Sequence, residues 1–148
     1  MAGAGTVVQG EVEHITTQPK GSGKGGFKVV TFSCTGDSSG GGIPDTTTTQ
    51  IVTDQIVGCY LIKAQMLPGS TGPTANSDVY IKDDNGIDLL NGNGVDKLDN
   101  ATDSEAYAQI DGQPALQPII SALTLDVDGD SVASAVYEIK LICVAAVI

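Results

Sequence analysis

Asp126-Val-Asp128-Gly-Asp130 places carboxylates at alternate positions, as a calcium loop does at its start. An EF-hand needs glycine at the sixth position and a bidentate glutamate at the twelfth. Counted from Asp126, Gly129 falls at the fourth place and Tyr137 at the twelfth. A strand, a turn and a second strand account for the same residues. Asp83-Asp84-Asn85-Gly86 reads likewise, as turn chemistry and not as a metal loop. His14 is the sole imidazole, beside Glu13, and no Cys–His or GxSxG arrangement supports a nucleophile. Paired carboxylates of a glycosidase would want aromatic platforms for the sugar, but the chain has two Phe and no Trp. Pro19 to Gly26 is rich in Gly and Lys, yet lacks the GxxxxGK[ST] spacing of a phosphate cradle. The sequence therefore assigns no catalytic, cofactor-binding or metal-ligating residue and reads as a non-enzyme.

The elements that would position any site are strands. Fourteen of the eighteen acidic residues are Asp, and Gly and Thr are abundant, a mix suited to turns and strands. Ser77 to Leu90 predicts a hairpin: Val79 and Ile81 alternate with Tyr80 and Lys82, Asn85-Gly86 supplies the turn, and Ile87, Leu89 and Leu90 resume the apolar run. Phe27 to Thr35 predicts a strand with Val29 and Thr31 on one face and Val30, Phe32 and Cys34 on the other. Gln50 to Leu67 reads as two strands broken near Asp54-Gln55: Ala64, Gln65, Met66 and Leu67 would suit a helix, but the β-branched residues before them favour strand. Ala101 to Ile110 predicts a single helical turn capped by Thr102 or Asp103. Gln113 to Pro118 reads as a loop, Ile119 to Val127 as a strand, and Ala133 to Val147 as the last strand. The expectation is an all-β, single-domain β-sandwich or jelly-roll-like fold of about seven to eight strands with at most one short helix. Residues 1–26 would form an N-terminal arm and flexible Gly/Lys loop, and residues 27–148 the sandwich domain.

At 148 residues the chain has the length of one domain. Its formal charge is −11, with seven lysines and no arginine, which argues against direct nucleic-acid binding. No apolar run reaches the ~18 residues of a membrane span, and the N-terminus lacks the pattern of a signal peptide. Cys34, Cys59 and Cys143 each sit in an apolar run, with neither CxxC spacing nor a neighbouring His, and read as buried thiols.

DVYIKDDNGIDLLNGNG (Asp78 to Gly94), ALTLDVDG (Ala122 to Gly129), VYEIKLICV (Val136 to Val144) and FKVVTFSCTGD (Phe27 to Asp37) together resemble the capsid decoration, or cement, proteins of tailed bacteriophages. The Gly/Lys-rich stretch from Pro19 to Gly26 has no counterpart in that pattern. The resemblance implies a virion protein made in the host cytoplasm that binds the outer face of the major capsid protein shell and stabilises it. It also implies a homo-oligomer, a trimer ahead of a dimer, without catalytic residues. Contacts with the shell or between protomers are expected at Thr6, Val7 and Val8, small and apolar near one end. They are also expected at Val144, Val147 and Ile148, apolar on both faces of the last strand. A tail, neck or fibre component, and a calcium-dependent ligand-binding β-sandwich, are the alternatives.

Overall fold

The computed structural model describes residues 5–15 and 26–145. Within them lie β1 (Thr6–Gln9), β2 (Glu13–Ile15), β3 (Phe27–Thr35), β4 (Thr46–Thr47), α1 (Gln50–Ile56), β5 (Tyr60–Pro68) and β6 (Asp78–Lys82). There follow β7 (Ser104–Tyr107), β8 (Gln109–Ile110), β9 (Gln113–Pro114), β10 (Gln117–Pro118), β11 (Thr124–Asp128) and β12 (Val136–Val144). Seven of these strands run four residues or more, and every pairing is antiparallel. The fold is an all-β sandwich.

The larger sheet has the order β1-β3-β12-β5-β10, with β2 continuing the edge beyond β1 and β7 continuing the opposite edge beside β10. β12 lies at its centre. Tyr137, Ile139, Leu141 and Cys143 point inward from β12, beside Val30, Phe32 and Cys34 of β3 and Leu61, Ala64 and Met66 of β5. The spacing of the β5 set breaks at Ile62, an extra residue where the register shifts between Ile142 and Cys143. This bulge lets Leu61 and Ala64 both reach the core. The smaller sheet, β4-β11-β6, supplies Val79, Ile81, Leu125 and Val127 to the same core. The stretch 1–26, read as arm and loop, thus adds β1 and β2 to the sheet edge in its described part, while residues 16–25 fall outside the described residues.

Several local expectations are corrected. Gln50–Ile56 is a helix, not a strand. The Thr49 side chain accepts a hydrogen bond from the Val52 amide and caps its start, and the Gln50 side chain donates to Asp54 at 2.7 Å. Val52 and Ile56 are buried one turn apart, so the cap and a helical apolar pair outweigh the modest helix penalty of β-branched residues. Val57 and Gly58, with φ of +94° at the glycine, end it. The helical turn expected over 101–110 is replaced by β7 and β8, and along this stretch Ala106 and Ala108 are buried while Glu105 and Tyr107 are not, a period of two.

The hairpin at 77–90 forms its turn but not its second strand. The Gly86 amide donates to the Asp83 carbonyl at 3.0 Å and the Asp83 amide to the Ile87 carbonyl at 2.9 Å, a three-residue loop with Gly86 left-handed. Asp88 then accepts the amides of Ile81, Leu90 and Gly92, which curls the chain away after one bridge. The strand beside β6 is instead β11. Gln113–Pro118, read as loop, contains β9 and β10, and Ile119 to Leu123 precedes β11 without being part of it.

Candidate interaction surface

The two sheets cover one core, so each presents one outward face. On the smaller sheet that face carries Asp78, Tyr80 and Lys82 from β6 and Thr124, Asp126 and Asp128 from β11. Lys82 Nζ lies 2.8 Å from Asp126 Oδ2 and 5.3 Å from the centre of the Tyr80 ring. Burial, and after it the neighbouring Asp126, raise the Asp45 and Asp128 carboxyls above their ordinary value. The hydrogen bond to Asp126 raises the Lys82 ammonium. This face is strongly acidic, with one lysine among the carboxylates.

The outward face of the larger sheet differs. Across it run Val8, Ser33, Glu138 and Leu67 in one row; Thr31, Lys140, Gln65 and Glu105 in the next; then Glu13, Val29, Ile142, Lys63 and Tyr107. Ile15, Phe27, Val144 and Tyr60 make a last row, wholly uncharged, that ends beside Pro118. Lys63 Nζ lies 2.8 Å from Glu105 and over the Tyr107 ring. An antiparallel sheet with a solvated face ordinarily alternates apolar with polar residues. Here Val8 is 64% exposed, Val136 44% and Tyr60 37%, and the charges come close to balance.

Of the residues expected to make contacts, Val8 points outward, whereas Val7 is packed against the core and Thr6 ends the strand. Val144 lies outward in the last row, facing Phe27 on one side and Tyr60 on the other. Thr6 stands level with Val136 at the other end of β3, so the structure sets the two expected groups roughly 25 Å apart on one sheet. Val147 and Ile148 lie outside the described residues. Sequence reading missed Val136, Glu138, Lys140 and Ile142 of β12, together with Phe27, Tyr60 and Tyr107. The available signal was that the positions alternating with Tyr137, Ile139 and Leu141 are themselves half apolar.

No nucleophile–base constellation is assembled among the described residues. The ring of His14 lies against the side-chain oxygen of Gln55 at 3.1 Å, and Lys28 donates to the Gln55 carbonyl near the end of α1. An open cleft of about 410 Å³ between β1, β2 and α1 is lined by Gln9, Glu11, Val12, His14 and Ile51. Cys34, Cys59 and Cys143 are buried, and desolvation pushes the Cys34 and Cys143 thiols up to about 12, far from a reactive thiolate. Compared with known proteins, the chain matches no family model, no curated protein and no solved structure.

Proposed function

We propose that the chain is a non-enzymatic virion structural protein of the capsid-decoration kind, which binds the outer face of a major capsid protein shell and stabilises it. The observation that carries this reading is the polarity of the molecule. One sheet presents four carboxylates, from Asp45, Asp78, Asp126 and Asp128, around a single lysine. The other ends in an uncharged row of Ile15, Phe27, Val144 and Tyr60. An apolar band suits a protein surface, and an acidic back suits the side turned to water. The resemblance carried by the strands and turns of the sequence agrees with it. The calcium-binding alternative is the weaker one, since Lys82 already occupies the centre of charge among the carboxylates.

The test is co-sedimentation of the purified chain with shells of the virion's major capsid protein that lack it. Saturable binding is expected, with loss of binding for Tyr60→Glu while the circular dichroism spectrum stays unchanged. A chain that stays in the supernatant at every concentration overturns the reading.

A further inference from the structure

On β12, the middle strand of the larger sheet, the outward residues before Val144 are Val136, Glu138, Lys140 and Ile142. Turned end for end about Ile139, this series lands on itself: apolar on apolar, acid on base. Among the described residues Lys140 makes no ion pair, and Glu138 accepts only from Ser33 at 3.4 Å. We propose that this face pairs with a second copy of the chain, sheet on sheet, about a two-fold axis that crosses the strands at Ile139.

The charges choose that axis. A two-fold axis running along β12 would set Glu138 on Glu138 and Lys140 on Lys140. An axis across the strands sets each Glu138 on the partner's Lys140, twice, as an isologous interface requires. The neighbouring strands accept the same operation. On β3 it brings Thr31 over Ser33 and Val29 over Thr35, and on β5 it brings Gln65 over Leu67, so no like charges meet on these two strands. Lys63 is held by Glu105 within its own chain. The attraction comes from covering Val136, Ile142 and Leu67. The central charge pairs contribute mainly orientation and partner choice, since desolvation offsets much of their Coulomb gain.

The larger sheet measures roughly 25 Å along the strands and 20 Å across, the footprint of a modest homodimer and not of an obligate one. Most of the net −11 charge sits on the other sheet and its loops, so pairing through this face holds the acidic sides apart. The row of Val144 overhangs the partner and stays open in the pair. Pairing therefore stands apart from shell binding: loss of co-sedimentation leaves it intact, and its own failure leaves the shell reading intact.

The experiment is sedimentation velocity of the full chain from micromolar to submillimolar concentration, on wild type, E138K, K140E and an equimolar mixture of the two variants. Wild type is expected to form a two-chain species. Each variant alone sets like charges together twice and weakens association by about tenfold or more. The mixture is expected to recover a two-chain species containing one copy of each, identified by native mass spectrometry. V136K and I142E, which also face each other across the axis, repeat the measurement should either first swap unfold the chain. A monomeric or three-chain wild type, single variants that pair as wild type does, or folded variants that fail to pair when mixed would overturn the proposal.

Discussion

Gly86 has a φ of +81°, and a Cβ built there would meet nothing within 4 Å. Gly86→Val is therefore expected to cost about 1–3 kcal/mol through backbone strain alone, read as a lower urea midpoint with an unchanged slope. Asn85-Gly86 made this turn legible, although only the glycine takes the left-handed conformation. The acidic cluster was not legible, because Asp45 reaches Asp126 from a distant part of the chain. Burial and Asp126 raise the Asp128 carboxyl above 3.8, so the fold favours its protonated form. The stability this gives is fully present below pH 3.8 and is lost as pH rises through the raised value. Asp128→Asn should accordingly raise the melting temperature at neutral pH, with the difference closing below pH 3.8. Equal melting curves at neutral pH would refute it.

Among the elements, β3 was readable residue for residue, and the core face of β12 as well, because an antiparallel strand with one covered face writes its alternation into the chain. α1 was hidden for a physical reason. Its apolar residues Ile51, Val52 and Ile56 are β-branched, and its stability rests on a cap and on packing that composition does not display. Thr49→Ala should lower stability by about 1 kcal/mol, measured by chemical denaturation, through the orphaned Val52 amide. An unchanged midpoint would mean the helix is held by tertiary contacts alone. The order of the sheets was not readable either, since β12 lies between β3 and β5 while β6 finds β11, pairings that local patterns do not encode.

At the scale of the molecule, Lys82 balances the acidic sheet from within, so EDTA should leave the melting temperature unaltered; a fall reversed by calcium would restore the cation-binding reading. The placement of β12 has a further consequence, in time. Among the described residues, the strand at the middle of the larger sheet comes after all its other strands in the order of synthesis. Until residue 144 has been made, β3 and β5 each carry an open inner edge and the core lacks Tyr137, Ile139, Leu141 and Cys143. Partial chains are thus sticky intermediates, the sheet closes only through sequence-distant contacts, and folding should be slow beside that of helical domains of equal size. A chain stopped after Ala135 should give no cooperative melt and should be rapidly digested by protease, and a peptide spanning 136–145 added in trans should restore protection.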